Sequence, residues 1–365
     1  MTAPSSPLPA ALPVELDHVE FYVADLTAET ARLTAEYGFE LLAPPTELGG
    51  AAERCLSALL GQGSIRLLLT QPLAATHPAT GYLARHGDGV AALALRVPDA
   101  AAAYRTLTDR GAEGLRPPRS GHGCVTAVVG AFGDVVHTLI ERGPEVPADR
   151  IPGLPDPAPA TGAGSVGLRT VDHFAVCVPS GELRETIRRY REVFGFRMIF
   201  EERIEVGTLG MDSAVVQSAD HSVTLTVIEP LGPEAGGQIA SFLADHGGAG
   251  VQHVAFSSAD AVHSVTALAE RGVPFLRTPG TYFDALPARL TPLRHTLDQL
   301  RDLNLLVDQD HDGQLFQIFT RSQHPRGTFF FEIIERIRAR HFGSNNIRAL
   351  YEAVELQRSA SEVAG

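Results

Sequence analysis

The feature that most constrains the fold is an internal repeat, which makes two similar domains the natural expectation. Four segments of the first half return in the same order in the second half: 16–23 as 171–178, 86–95 as 246–256, 109–118 as 270–279, and 133–140 as 313–320. The offset between the copies grows along the chain, which predicts one duplication followed by insertions, the largest near 283–302. A chain of 365 residues is also long for a single hydrophobic core.

Composition indicates where the two copies join. Residues 142–165 are rich in Pro, Gly and Ala, and this composition is typical of an interdomain linker. We therefore predict five segments in chain order: a disordered leader at 1–13, an N-terminal domain at 14–145, a linker at 146–167, a C-terminal domain at 168–358, and a tail at 359–365.

Residue patterns in each half predict the fold class. Short apolar stretches with β-branched residues, such as those around His18 and His173, are typical of strands. Residues 100–110 and 261–271 carry apolar side chains at helical spacing, and each stretch is followed by a glycine, which is typical of a helix end. Each half then reads as two βαβββ modules, which resembles the vicinal-oxygen-chelate fold. We predict an α+β protein of two duplicated domains, each a curled mixed sheet around a cavity.

Charge and cysteine content narrow the classes of partner. The formal net charge is −13 and no run of Lys and Arg interrupts the sequence, which argues against nucleic acid or an anionic membrane as a partner. Three cysteines without a Cys-x-x-Cys spacing exclude a disulfide framework and a thiolate zinc site. No apolar run approaches the roughly 18–20 residues of a membrane span. We therefore expect a cytoplasmic protein, and we expect it to form a homodimer.

Two histidines and one glutamate in the second half form a candidate metal site. His173 and His253 lie on predicted strands, and Glu332 lies in the apolar stretch 329–334, where a carboxylate needs a partner. Two imidazoles and one carboxylate are a known ligand set for Fe(II), and they leave positions open for substrate and O₂. A single histidine in a strand is more often a hydrogen-bonded structural residue, so the prediction depends on the three residues together.

The first half provides an internal comparison for this ligand set. Alignment of the copies places Ala92 opposite His253 and Thr138 opposite Glu332, while His18 alone is retained opposite His173. One histidine cannot hold the metal. We therefore predict that the N-terminal domain is non-catalytic and that the C-terminal domain carries the metal.

Several motifs of the chain resemble the 4-hydroxyphenylpyruvate dioxygenase family. They are GGAGVQHVAF at 247–256, FLRTPGTYFDAL at 275–286, GQLFQIFT at 313–320, FFFEIIER at 329–336 and FGSNNIRALYEAVE at 342–355. The resemblance covers residues from about 14 to 358. It implies an Fe(II) dioxygenase with O₂ as co-substrate and a small aromatic α-keto acid as substrate. No 2-oxoglutarate is implied, because the substrate carries its own keto acid.

The resemblance also implies a substrate pocket. The family's polar pocket residues correspond to Ser213, Gln238 and Gln317, and a C-terminal helix is implied to cap the cavity with Phe342, Ile347 and Tyr351. No catalytic residue is implied beyond the metal ligands.

Four pocket positions depart from the family members that attack the aromatic ring. Those members carry Pro-x-Asn-Glu-Pro where this chain has Thr226 and Ile228, and they carry Phe where it has Ile347 and Tyr351. The resemblance then implies benzylic hydroxylation, which gives 4-hydroxymandelate and CO₂ from 4-hydroxyphenylpyruvate and O₂, and a role in antibiotic biosynthesis. The alternatives are homogentisate formation in tyrosine catabolism and a non-catalytic module that binds a small aromatic compound.

Overall fold

The computed structural model describes residues 9–206, 209–232 and 236–348. The first half contains eight strands and three helices: β1 Glu15–Tyr22, α1 Leu26–Ala35, β2 Glu40–Leu48, β3 Cys55–Gln62, β4 Ile65–Pro72, α2 Pro78–His86, β5 Gly89–Arg96, α3 Ala100–Asp109, β6 Gly114–Gly121, β7 Cys124–Phe132 and β8 Val135–Arg142. None of the described helices is both long and apolar enough to cross a membrane.

The second half repeats this order with additions. Its elements are β9 Leu168–Cys177, α4 Leu183–Arg189, a π-helical turn Tyr190–Phe194, β10 Arg197–Val206, β11 Leu209–Gln217, β12 Thr224–Pro230, α5 Gln238–His246, β13 Gly250–Ser258, α6 Ala261–Glu270, α7 Gly280–Arg289, α8 Leu297–Asp302, β14 Leu306–Gln309, β15 Gln314–Phe319 and β16 Phe330–Ile337.

Both halves build the same eight-stranded mixed sheet. The strand order is β2-β3-β4-β1-β5-β8-β7-β6 in the first and β10-β11-β12-β9-β13-β16-β15-β14 in the second. In each sheet the two central strands are antiparallel, and each has a parallel neighbour on its outer side. The prediction of an α+β protein with tandem βαβββ modules is therefore confirmed.

The growing offset between the copies has a structural cause. The first half passes from α3 directly to β6, whereas the second half inserts α7 and α8 between α6 and β14. These two helices coincide with the predicted insertion near 283–302.

One of the four matched segments was paired with the wrong strand. Residues 133–140 belong largely to β8, whose equivalent is β16, because β8 and β16 are the parallel neighbours of β5 and β13. Residues 313–320 form β15 and correspond to β7. Short apolar strands of neighbouring modules resemble one another, so sequence similarity alone could not separate them.

Helices α3 and α6 begin in the same way. Asp99 and Asp260 are the N-cap residues, and their carboxylates accept hydrogen bonds from the backbone N–H groups of Ala102 and His263. Such caps satisfy backbone donors that the first turn of a helix leaves free. The helices end at Asp109 and Glu270, two residues before the predicted glycines.

The two sheets share one apolar core. Phe39 of the first half lies 5.9 Å from Phe256 of the second, and Tyr37 lies 5.0 Å from Phe331, measured between ring centroids. These aromatic pairs bury large surfaces between the domains, and aromatic pairs of this kind contribute about 0.5–1.5 kcal/mol beyond burial. The two halves therefore stabilise each other across their interface.

The segment that joins the halves is packed although it has no regular structure. Residues 143–167 contain no helix or strand, as their composition predicts. Ile151 and Leu154 are nevertheless buried, at 5% and 2% exposure, in a cluster with Leu42 and Leu59 of the first sheet. This linker therefore lies fixed on the first domain. The domain boundaries at 145 and 167 stay a prediction.

Candidate metal and substrate site

Strand pairing places the three candidate ligands on one face of the second sheet. Ala255 of β13 pairs with His173 of β9 on one side and with Glu332 of β16 on the other. His253 lies two residues before Ala255, and side chains two residues apart in a strand point to the same face. The three side chains therefore project together into the concave side of the sheet.

The donor atoms of these side chains converge closely. Nε2 of His173 lies 3.3 Å and Nε2 of His253 lies 3.2 Å from the same oxygen, Oε2 of Glu332. One donor atom from each of the three residues lies within 4.8 Å of the other two. All three residues are buried, with exposures of 5%, 7% and 2%.

Burial and mutual charge shift the pKa values of this group strongly. Burial raises the pKa of Glu332, but the two neighbouring imidazoles outweigh it and hold that pKa at about 2. Burial lowers the pKa of His173, and the charges and hydrogen bonds of Glu332 and Asp172 reverse this and raise it to about 9. For His253 burial prevails and its pKa is lowered. The site thus holds a carboxylate facing two imidazoles, a donor set of two nitrogens and one oxygen that fits a divalent metal ion such as Fe(II).

A cavity opens directly in front of these donor atoms. Its lining includes the three candidate ligands and six of the eight predicted substrate residues: Thr226, Ile228, Gln238, Gln317, Phe342 and Ile347. Oγ1 of Thr226 and Oε1 of Gln317 are buried without a hydrogen-bond partner among the described residues. Buried polar atoms rarely stay unpaired, and these two line a cavity, where they are available as hydrogen-bond partners.

One further predicted substrate residue, Ser213, does not line this cavity. Ser213 lies opposite Ile228 in the β11–β12 pairing, but its hydroxyl is 3.4 Å from the carbonyl oxygen of Glu202 and it lines a separate groove. Tyr351 lies outside the described residues. Gln252, which sequence reasoning did not select, does line the cavity. Adjacent strand residues normally face opposite sides of a sheet, and the pairing of β9 with β13 has a register shift between Val251 and His253, at Gln252. No pattern in the sequence predicted this irregularity.

The chain after β16 closes one side of the cavity. Phe342 is buried and its ring lies edge-on to His173, with centroids 5.3 Å apart. Gly343 has a φ of +78°, and a Cβ there would collide with the side-chain oxygen of Gln317. Residues 344–348 are helical and begin the predicted capping helix. We refer to residues 341–348 as the cap.

The chain is similar to known proteins over most of its length. Family models of the Glyoxalase/Bleomycin resistance protein/Dioxygenase superfamily match residues 17–127 and 170–318. The 4-hydroxyphenylpyruvate dioxygenases of Dictyostelium discoideum and Xenopus tropicalis are 28% and 29% identical, covering 93% and 94% of this chain and 97% and 91% of theirs. A triple mutant of 4-hydroxymandelate synthase from Streptomyces coelicolor is 41% identical over 95% of this chain and 99% of its own, with a TM-score of 0.84. The chain belongs to the 4-hydroxyphenylpyruvate dioxygenase family.

In this member of the 4-hydroxyphenylpyruvate dioxygenase family, the first domain has the scaffold of the site with only one of its three donor residues. Ala94 pairs with His18 on one side and with Thr138 on the other, as Ala255 pairs with His173 and Glu332. Ala92 lies two residues before Ala94, at the position of His253. The structure therefore places these residues as the alignment predicted, and only His18 could act as a ligand.

A second acidic cluster in the second domain is already neutralised. Asp260, His295 and Glu335 lie close enough to one another to suggest a metal site. The guanidinium of Arg294, however, pairs with Glu335 at 2.8 Å and with Asp260 at 3.2 Å, and His295 bonds Glu335 at 2.8 Å. Glu335 also accepts the backbone N–H of Ala261. The charges are thus satisfied by protein groups, and the cluster fixes the inserted segment to β16.

Proposed function

We propose that this protein is an Fe(II)-dependent dioxygenase that converts 4-hydroxyphenylpyruvate and O₂ to 4-hydroxymandelate and CO₂. The observation that carries the proposal is the convergence of His173, His253 and Glu332 at the end of a cavity with few polar atoms. These three residues would hold Fe(II). When bound there, Fe(II) would supply open coordination positions for the keto acid and for O₂.

The chain's own residues would orient the substrate and exclude water. The keto acid end would face the three ligands, and the unpaired oxygens of Gln317 and Thr226 are available to polar groups of the substrate. Phe342 covers the ligand His173 from the cap. Ile228 and Ile347 belong to one apolar cluster and would pack against the aromatic ring.

The overall reaction balances without a further reductant. The bond between the carboxyl and keto carbons breaks and CO₂ leaves. One oxygen atom of O₂ enters the new carboxylate at the former keto carbon, and the other is inserted into the benzylic C–H bond. The substrate thus supplies the two electrons that a separate 2-oxoglutarate would otherwise provide.

The choice of product rests on the ring-facing side chains. Aromatic side chains stack on aromatic ligands with a defined geometry, whereas Ile347 and Ile228 provide no flat surface. The ring would then be free to turn so that its benzylic carbon, rather than a ring carbon, faces the three residues that would hold Fe(II). The 41% identity to a 4-hydroxymandelate synthase supports this branch over the 28–29% identities to 4-hydroxyphenylpyruvate dioxygenases.

The test is product analysis with Fe(II), 4-hydroxyphenylpyruvate and air. Homogentisate and 4-hydroxymandelate are isomers, so chromatography against both standards is required rather than mass alone. We expect 4-hydroxymandelate with one O₂ consumed per CO₂ released. If homogentisate is the main product, the proposed formation of 4-hydroxymandelate is wrong, but the proposed iron site is not affected. Absence of Fe(II)-dependent O₂ uptake would overturn the enzyme proposal and favour the binding module.

We further propose that the protein acts in the cytoplasm as a homodimer and that its product serves antibiotic biosynthesis. The acidic charge and the absence of Cys-x-x-Cys pairs support the compartment. Light scattering of the purified protein would test the dimer.

A further inference from the structure

Arg336 and Asp172 form a partly buried ion pair directly behind the candidate ligand His173. Nε of Arg336 donates to Oδ2 of Asp172 at 2.8 Å, and Nη2 donates to Oδ1 at 2.9 Å. The same Oδ1 lies 2.9 Å from Nδ1 of His173. Because a bidentate pair fixes the plane of the carboxylate, the orientation of the imidazole is fixed with it, and Nε2 is directed at Glu332.

Arg336 also contacts the cap on its other side. Its Nη1 donates to the carbonyl oxygen of His341 at 2.5 Å, and its guanidinium carbon lies 5.0 Å from the ring centroid of Phe342. Phe342 in turn packs edge-on against His173. Arg336 is therefore the group that joins the histidine ligand to the segment that closes the cavity.

His253 is held in a different way. Its ring stacks on Phe330 at 4.9 Å and lies edge-on to Phe319 at 5.7 Å. Its Nδ1 has no hydrogen-bond partner among the described residues. Of the two histidines, only His173 thus has a charged pair behind it, so any loss of that pair should affect this ligand selectively.

The first domain contains the same arrangement without the other two ligands. Arg142 forms a bidentate pair with Asp17, and Oδ1 of Asp17 lies 2.6 Å from Nδ1 of His18. Arg142 also donates to the carbonyl oxygen of Arg150 in the linker, at 2.8 Å. This equivalent arrangement provides a matched control, because its arginine, aspartate and histidine are paired in the same order at the same place in the fold but no glutamate lies opposite its histidine.

We propose that Arg336 and Asp172 are positioning residues for the metal centre, which orient His173 and couple it to closure of the cap by Phe342. The inference rests on the proposed metal site. It predicts that metal binding by the second domain depends on the forked geometry of Arg336 and not on its charge alone, because lysine carries the charge without the fork. Substitution of such residues behind a ligand typically weakens metal binding about 10–100-fold.

The experiment compares matched variants of the full-length protein. Arg336→Lys and Asp172→Asn are made in the second domain, and Arg142→Lys and Asp17→Asn are made at the equivalent positions of the first. Metal-free protein is titrated with Co(II) under argon, and the visible absorption of the bound ion reports both the dissociation constant and the coordination geometry. Thermal unfolding of each metal-free variant shows whether it is folded.

We expect Arg336→Lys and Asp172→Asn to weaken Co(II) binding about 10–100-fold and to change the absorption spectrum. The dissociation constants of Arg142→Lys and Asp17→Asn for Co(II) should stay within twofold of the wild-type value. This should hold even if their unfolding temperatures fall by as much as those of the second-domain variants. The inference would be overturned if both second-domain variants were folded and bound Co(II) with wild-type affinity. It would also be overturned if the first-domain variants lost as much Co(II) affinity as the second-domain variants.

The design separates this inference from the proposed function. Wild-type protein that binds no Co(II), or His253→Ala that binds it unchanged, would refute the metal site itself. Wild-type binding that is lost in His253→Ala but retained in Arg336→Lys and Asp172→Asn would refute only the positioning role. If one second-domain variant fails to fold, the other still gives the measurement.

Discussion

Glu332 places a single carboxylate oxygen between two imidazoles, and the rest of the candidate site is arranged around that oxygen. The two imidazoles beside this oxygen outweigh the effect of burial, which explains why the pKa of Glu332 is low although burial alone would raise it. At the residue scale, the structure therefore yields two predictions, one on the ligands and one on the pocket.

The first prediction uses the equivalent histidines as a matched pair. His173→Ala should lower the iron content from about one per chain to near zero and abolish turnover, because a two-ligand site binds Fe(II) weakly. His18→Ala should leave iron content near one per chain, because Ala92 and Thr138 offer no metal donors beside it. Iron analysis after gel filtration measures both. Loss of iron from the His18 variant would mean that the metal lies in the first domain.

The second prediction concerns Ile347. Ile347→Phe would supply the flat surface that ring-attacking members carry, so part of the product should shift from 4-hydroxymandelate to homogentisate. Ile347→Leu is the control, because it preserves the aliphatic volume and should leave the product ratio unchanged. Chromatographic ratios at equal turnover provide the measurement. An unchanged ratio in the Phe variant would remove Ile347 from the determinants of the product.

At the scale of elements, the inserted helix α7 supports the cap. The hydroxyl of Tyr282 lies 2.8 Å from Oδ1 of Asn346 and also bonds the backbone of Val307, at 2.8 and 2.9 Å. Asn346 is fully buried, and Asn345 beside it donates to Asp308. The insertion that distinguishes the second half thus supplies a contact that holds the cap over the cavity.

The third prediction tests this contact. Tyr282→Phe removes a buried hydrogen-bond partner from Asn346 and Val307, which should lower the free energy of unfolding by about 1–3 kcal/mol. Because the cap is then held less firmly, KM should rise at least fivefold. Tyr82→Phe is the matched control, because Tyr82 is a buried tyrosine in α2 of the first domain, and its hydroxyl donates to the carbonyl oxygen of Val90 rather than to a residue of the cap. It should lower the unfolding temperature comparably and leave KM unchanged. Equal KM values in the two variants would contradict a role for α7 in capping.

Across the whole molecule, the two domains are joined by buried polar contacts as well as by the apolar core. His137 of the first domain is fully buried, and its Nε2 lies 2.8 Å from the hydroxyl of Tyr190 in the second. Burial, together with the charge of Arg189, lowers the pKa of His137 to about 4. Because this histidine is neutral in the folded protein, its protonation at low pH would destabilise the interface between the domains.

The fourth prediction follows from the direction of this shift. The unfolded chain binds a proton at His137 from about pH 6.5 downward, whereas the folded protein binds it only near pH 4. The contribution of neutral His137 to the free energy of unfolding is therefore complete above pH 6.5 and is lost as the pH falls from 6.5 to 4. The shift corresponds to about 3 kcal/mol. Denaturant unfolding at several pH values should show a weaker dependence in His137→Gln than in wild type or in the exposed-residue control His122→Gln. An equal dependence in all three would assign the acid sensitivity to other groups.

Much of the fold could be predicted because the chain repeats itself. The paired segments indicated that the two halves share one fold. Ala92 and Thr138, which stand in the first half where the second has His253 and Glu332, indicated which half carries the metal. The same approach failed for 133–140, because β7 and β8 are both short, apolar and adjacent. It also did not select Asp172 or Arg336, although in both copies Asp directly precedes the histidine and Arg ends the matched segments 137–142 and 331–336.

What the sequence by itself determined is the periodic and repeated part of this protein: two α+β domains, the strands that carry His173, His253 and Glu332, and the residues that replace them in the first half. Only the tertiary structure decided which side chains face the cavity, that Arg336 joins a ligand to the cap, and that α7 braces Asn346. Strand periodicity is local and can be read from neighbouring residues, whereas these contacts join residues far apart in the chain, and their distances depend on how the sheets curl and pack.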